Sequence, residues 1–118
     1  MCKKHDIQKN GTNNNYGIRL ESSANNNTIT SNNVTTIGTS SNNNGIYLVT
    51  TVSGNNITGN TISTNGTSGN QGILLQSSAN NNTVTSNNIT IRGSAGSNIG
   101  IYLFTTVSGN NVTNNRVS

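Results

Sequence analysis

The stretch that decides the fold is residues 45–63, with the sequence GIYLVTTVSGNNITGNTIS. Apolar residues alternate with other residues in three short segments, which centre on Ile46-x-Leu48, Ile57 and Ile62. Alternation with a period of two is typical of strands that bury one face. Because Gly, Asn and Ser divide the segments, the stretch predicts three short strands separated by sharp turns, and no helix.

The same pattern recurs along the whole chain. The motif Gly-Ile-x-Leu begins at Gly17, Gly45, Gly72 and Gly100, at intervals of 28, 27 and 28 residues. Each copy is followed at constant phase by Asn-x-(Ile/Val)-x-x-Asn-x-(Ile/Val), and a longer repeat of 55 residues lies over this one. We therefore predict a single domain, residues 1–118, built from coils of 27–28 residues. Its divisions are a partial first coil, 1–16, three full coils, 17–44, 45–71 and 72–99, and a partial last coil, 100–118.

The composition alone allows a different interpretation. Asparagine (27), threonine (18), serine (15) and glycine (13) make up more than half of the 118 residues, only 28% of the chain is apolar, and proline is absent. Such a bias also occurs in disordered, prion-like tracts. A disordered tract has no reason to hold Ile, Leu and Asn in fixed register through four copies, so we favour the repeat protein.

Each coil is predicted to contain three strands, and each strand buries one apolar stripe. Successive coils then stack so that equivalent strands lie side by side, which forms parallel sheets. The Gly-Ile-x-Leu and Asn-x-Ile-x-x-Asn-x-Ile motifs resemble the right-handed parallel β-helix repeats of the pectate-lyase-like superfamily, including those of the copper-site maturation family NosD. This resemblance covers essentially the whole chain. It implies an all-β fold, a right-handed, three-sided parallel β-helix (β-solenoid) of about four coils.

Stacking at about 4.8 Å places equivalent residues in columns along the axis. We expect asparagine ladders, because one amide both donates and accepts hydrogen bonds. The predicted ladders are Asn27, Asn55, Asn82 and Asn110, and Asn32, Asn60, Asn87 and Asn115. The predicted core columns are Ile18/Ile46/Ile73/Ile101, Leu20/Leu48/Leu75/Leu103, Ile29/Ile57/Val84/Val112 and Val34/Ile62/Ile89/Val117.

Two outward faces are candidate contact surfaces. One is an apolar strip beside Ile-x-Leu, suited to packing against a neighbour; sugar stacking on its tyrosines is the alternative, although we expect few polar groups there. The strip residues are Tyr47, Val49, Leu74, Tyr102 and Phe104. The other face carries threonines like those of ice-binding solenoids, although threonine also simply favours exposed strands. The candidate ice or ligand residues are Thr28, Thr30, Thr58, Thr83, Thr85 and Thr113.

The scarcity of reactive side chains argues against several functions. Only Asp6, Glu21 and His5 could act as an acid or a base, so we expect no enzyme and no catalytic residue. Met1, Cys2 and His5 could suit copper, but we interpret them as a solvated chain end and expect no metal and no cofactor. The net charge of +4 forms no basic stripe with aromatics, and the longest apolar runs are four residues, so we expect no nucleic-acid partner and no membrane span.

The sequence therefore predicts a structural solenoid outside the cell or at its surface, such as part of a filament, sheath, stalk or adhesin. Its location rests on the resemblance and the composition. The first and last residues fall mid-coil, so we expect either a piece of a longer protein or a chain that self-associates end to end as well as through the strip. The alternative is a ligand-binding solenoid that takes carbohydrate or ice.

Overall fold

The computed structural model describes residues 5–118 and the backbone of Cys2–Lys3. Within these residues the chain forms strands β1–β14, numbered in chain order, and no helix. Sheet A contains β1 (Cys2–Lys3), β4 (Thr28–Thr30), β7 (Asn56–Thr58), β10 (Thr83–Thr85) and β13 (Asn111–Thr113). Sheet B contains β2 (Asp6–Gly11), β5 (Asn33–Gly38), β8 (Thr61–Gly66), β11 (Asn88–Gly93) and β14 (Arg116–Val117). Sheet C contains β3 (Tyr16–Glu21), β6 (Asn44–Val49), β9 (Gln71–Gln76) and β12 (Ile99–Phe104).

Every neighbouring pair of strands is parallel, and each strand pairs with its equivalents one coil away. Ile29 pairs with Ile57, Ile57 with Val84, and Val84 with Val112, as the repeat phase requires. The prediction of an all-β, three-sided parallel solenoid of about four coils is therefore confirmed.

The interior of the stack holds the predicted core columns. Ile46, Leu48, Ile57 and Ile73 are fully buried, and residues of all three sheets form one cluster. Val52, equally buried, fills the corner between sheets C and A. The apolar columns thus exclude water along the solenoid axis, which is where most of the folding free energy of such a stack arises.

Asparagine ladders run beside these columns. Asn60 Oδ1 accepts hydrogen bonds from the backbone N–H of Asn32 at 2.9 Å and from its side-chain Nδ2 at 3.1 Å. Asn60 in turn donates to Asn87 Oδ1 from its backbone N and its Nδ2, both at 3.0 Å. The second column repeats this arrangement, with Asn55 accepting from Asn27 and donating to Asn82. Both predicted ladders are therefore present.

A third ladder, which the sequence analysis missed, lies at the turn from sheet B to sheet C. Asn15 Nδ2 donates to Asn43 Oδ1 at 2.7 Å, Asn43 to Asn70 at 3.0 Å, and Asn70 to Asn98 at 2.7 Å. Its signal was available, because an asparagine stands two residues before the glycine of every Gly-Ile-x-Leu motif.

The corner after sheet C adopts a left-handed backbone without glycine. Ser22 and Ser23 have φ angles of 52° and 65°, and the Ala24 N–H donates to the Glu21 carbonyl at 3.2 Å, as in a type I′ turn. The other coils repeat the pair with Thr50–Thr51, Ser77–Ser78 and Thr105–Thr106. Each such non-glycine residue costs about 1–2 kcal/mol. Hydrogen bonds between coils, such as Thr51 N–H to the Ser77 carbonyl at 3.1 Å, hold these corners in place.

Sheet B contributes an inward column that the sequence analysis did not predict. Thr36 pairs with Thr64, and Thr64 with Ile91, at the position after the Val34 column. Thr36 and Thr64 are both fully buried, and their hydroxyl groups have no hydrogen-bond partner in the described structure. A buried hydroxyl without a partner destabilises the fold, so this column is a weak point of the core.

Replacing Thr36 by valine is expected to stabilise the chain by about 1–2 kcal/mol, because a methyl group of similar size replaces an unpaired hydroxyl. Chemical denaturation followed by circular dichroism measures the effect. Thr35→Val is the matched control, since Thr35 is only partly buried on the outward side of the same strand. A Thr36→Val variant less stable than the parent would show that the hydroxyl has a partner, such as an internal water.

Candidate functional site

The glycine of each Gly-Ile-x-Leu motif determines which side chains of sheet C face outward. A Cβ atom on Gly45 would meet the Ile62 side chain of sheet B and would lie 2.6 Å from the carbonyl oxygen of Gly72. Gly45 and Ile46 therefore both face the interior, and the alternation resumes with Tyr47 on the outer face. This places three outward columns on sheet C.

Aromatic and charged groups meet at one end of this face. The rings of Tyr16 and Tyr47 lie 5.0 Å apart between centroids, tilted by 35°. The Arg19 guanidinium carbon lies 5.4 Å and 5.6 Å from the two ring centroids, a cation–π geometry. Arg19 also forms a surface ion pair with Glu21, with Nη2 2.6 Å from Oε2. The pair neutralises its own charges, so this end of the face has no net charge.

The surroundings of Tyr47 change the pKa of its hydroxyl group. Burial raises the pKa of its hydroxyl above the usual value, and the neighbouring Tyr16 adds to the increase. Tyr47 is therefore neutral in any physiological solution and offers a hydroxyl donor beside an aromatic face.

The apolar strip forms a second hydrophobic cluster outside the main core. Tyr47, Val49 and Leu74 are each 7–8% exposed, and Tyr102 packs against them. Phe104 stands at the edge with 49% of its surface exposed, and its ring centroid lies 5.3 Å from that of Tyr102. The strip is thus largely self-packed in its middle, and its accessible part lies toward Phe104. Its role as a packing surface stays a prediction.

A groove of about 280 Å³ crosses all four strands of sheet C, and its apolar lining is formed by Tyr16 and by four residues of the strip, Tyr47, Leu74, Tyr102 and Phe104. The expectation of few polar groups beside it is wrong, because side-chain amides from two regions line the groove. Turns contribute two of them, and the strands of sheet C contribute the rest. The amide residues are Asn14, Asn42, Asn44, Gln71 and Gln76.

The outer face of sheet A holds the residues proposed for ice or ligand binding. Thr30, Thr58, Thr85 and Thr113 occupy one register position in successive coils, and the Thr85 and Thr113 hydroxyls lie 3.2 Å apart. The neighbouring column alternates between threonine and asparagine: Thr28, Asn56, Thr83 and Asn111. The array is regular but only two columns wide, and ice binding stays a prediction.

Few groups of the described chain could act as metal ligands or acid–base catalysts. His5 and Asp6 are exposed neighbours at the first coil, and Glu21 is already paired with Arg19. Residues 5–118 contain no cluster of three His, Cys, Asp or Glu side chains that could hold a metal ion. Met1 and the Cys2 side chain, the other candidate ligands, lie outside the described residues.

A family model described as "Periplasmic copper-binding protein (NosD)" matches residues 1–118. The chain belongs to the NosD family. This agrees with the resemblance of its repeats, and the periplasmic description of the family is consistent with a location outside the cytoplasm. Comparisons with curated proteins and with solved structures find no match.

The donor chemistry of the described coils does not fit the copper that the NosD family description names. Soft thiolate, thioether and imidazole groups bind copper well, whereas the stacked coils present amides and hydroxyls. The one imidazole, on His5, has no carboxylate or sulfur cluster around it among the described residues. We therefore assign no function to copper in these coils. In addition, no helix in the described part of the chain is long and apolar enough to cross a membrane.

Proposed function

We propose that this NosD-family chain is a non-enzymatic structural β-solenoid, a segment or subunit of a filament, sheath, stalk or adhesin outside the cytoplasm. The observation that carries the proposal is the unbroken stack: parallel pairing and three asparagine ladders join coil to coil without interruption in the described residues. Such a stack resists bending and extension, because force along the axis is shared among many hydrogen bonds.

Contacts with neighbours are the second part of the proposal. In the last coil, core positions Leu103, Val112 and Val117 are 39%, 36% and 51% exposed. A further coil laid on them, from the same polypeptide or from a second copy, would bury this apolar surface and pair the strand edges. Lateral contacts would use the accessible part of the strip at Phe104.

Sedimentation velocity and electron microscopy of the purified chain over a range of concentrations test this function. We expect concentration-dependent assembly, with filaments or stacked particles at the higher concentrations. Phe104→Ser should weaken lateral contacts by about tenfold, the loss expected for a well-exposed aromatic anchor. Thr61→Ser, at an exposed position of sheet B in a middle coil, is the control and should leave assembly unchanged. A monomer at every concentration would contradict self-association.

A further inference from the structure

The first coil carries a charged residue at a position that faces the interior of the solenoid. Lys9 pairs in register with Thr36, Thr36 with Thr64, and Thr64 with Ile91. Thr36 and Thr64 are fully buried, and Ile7, two residues before Lys9, packs against the main core, so this column is an inward one. Lys9 itself is exposed, because its strand β2 is the edge of sheet B and the described chain places no strand beyond it.

No carboxylate compensates the Lys9 ammonium group in the described structure. Within the described residues the only ion pair joins Arg19 to Glu21, on the outer face of sheet C. Asp6 lies on the same strand as Lys9 but at an outward position. Residues 22–118 contain no Asp or Glu. A coil stacked on the first coil would therefore enclose an unpaired ammonium group, unless that coil supplied a carboxylate of its own.

An inward-facing charge at the edge of a sheet is one of the devices by which proteins prevent unwanted strand pairing. The edge strand β2 presents unpaired backbone groups to any chain that approaches it. A second copy could approach with its last coil, which offers exposed apolar side chains at Leu103, Val112 and Val117. These side chains would surround the Lys9 ammonium group without neutralising it.

A surface ion pair would partly favour that contact. Asp6 and Arg116 occupy the two ends of one outward column of sheet B, so stacking in register would bring Arg116 of one copy beside Asp6 of the next. Both residues are exposed, and exposed ion pairs contribute little, whereas burial of an unpaired charge is strongly unfavourable. Lys9 therefore decides the balance against stacking.

We propose that Lys9 makes the edge of the first coil selective: it rejects other copies of this chain and accepts a solenoid coil that places a carboxylate opposite the ammonium group. Such a partner would continue the parallel sheets and form an enclosed ion pair at the joint. This inference rests on the proposed function, since it specifies which end of the structural solenoid associates with which partner. Copies of this chain then meet through their last coils or through the strip.

Removal of the charge tests the rejection of copies. Lys9→Thr introduces the residue that Thr36 and Thr64 provide at this position in the next two coils, so the variant should fold, as circular dichroism can verify. In sedimentation velocity, the whole chain with Lys9→Thr should associate at concentrations at least about tenfold lower than the parent. Lys9→Arg keeps the charge and Gln8→Thr changes an exposed outward neighbour, so both should associate like the parent.

Addition of a carboxylate to the last coil tests the chemistry of the partner. Val117 continues the column of Ile7, so a glutamate in its place would face the first coil of the next copy close to Lys9. Val117→Glu should associate at least about tenfold more strongly than the neutral Val117→Gln of similar size. The difference should disappear in chains that also carry Lys9→Thr, because the two charges act as a pair.

Unchanged association of a folded Lys9→Thr chain would overturn the inference, and so would equal association of Val117→Glu and Val117→Gln. If the parent assembles while either result is found, only the inference fails and the proposed function stands. A parent that stays monomeric while Lys9→Thr assembles would support the inference and contradict self-association of the parent.

Discussion

Replacing Asn60 by alanine is expected to destabilise the chain by about 3–5 kcal/mol, because several buried hydrogen-bonding groups lose their partner at once. Asn60 Oδ1 accepts from the backbone and the side chain of Asn32, and its Nδ2 donates to the Ile29 carbonyl at 3.0 Å and to Asn87 Oδ1. Asn60 is 1% exposed, so water cannot replace these bonds. Urea denaturation monitored by circular dichroism measures the loss.

Asn56→Ala is the matched control, because Asn56 lies in the same coil, is exposed, and has no side-chain hydrogen bond among the described residues. Its stability should stay within about 0.5 kcal/mol of the parent. Equal losses for the two variants would mean that the ladders contribute nothing specific and that any asparagine in the coil is equivalent.

Substitution of Gly45 by alanine should have the other large effect, a loss of about 3 kcal/mol or more, with aggregation at moderate temperature. The added Cβ would meet the Ile62 side chain and lie 2.6 Å from the backbone oxygen of Gly72. Ile62 can shift slightly, but the Gly72 carbonyl belongs to the adjacent coil and cannot move without breaking the sheet. Thermal unfolding followed by circular dichroism provides the measurement.

Gly96→Ala is the control for this substitution, since a Cβ on Gly96 would have no neighbour within 4 Å. Gly96 is exposed in a turn, so its variant should unfold at the parent temperature. If Gly45→Ala were as stable as Gly96→Ala, sheets B and C could not be in the close contact described.

Periodicity made the fold predictable. Because equivalent residues stack in columns, the phase of Ile57 and of Asn60 in one repeat predicted their neighbours in every coil. The third ladder follows from the same logic, since an asparagine such as Asn43 stands two residues before the glycine of every Gly-Ile-x-Leu motif. Thr36 follows Val34 by two residues, so strict alternation places it inside, but only apolar positions were predicted as core columns.

The groove was harder to predict than the core. Asn14 and Asn42 lie in the turn before a strand of sheet C and adopt left-handed conformations, with φ angles of 51° and 60°, as Gly69 and Ser97 do at the same phase of the other coils. The repeat fixes the phase of this turn, but the alternation within the strands does not show that the two amides lie beside sheet C. Gln71 precedes the interior-facing Gly72, and the glycine reverses the simple alternation that would have placed Gln71 inside. The sequence therefore identified the aromatic floor from Tyr47 and its column but not the amides beside it.

Amide hydrogen exchange, resolved by residue with NMR, tests the central claim most directly, since that claim is a rigid stack of coils joined by asparagine ladders. The backbone N–H groups of Asn32, Asn60 and Asn87 donate to the next asparagine at 2.9–3.0 Å inside the stack. We predict that they exchange at least about a thousandfold more slowly than the exposed turn amide of Gly96. Exchange of all four at similar rates within minutes would contradict the stack and favour a disordered asparagine-rich chain.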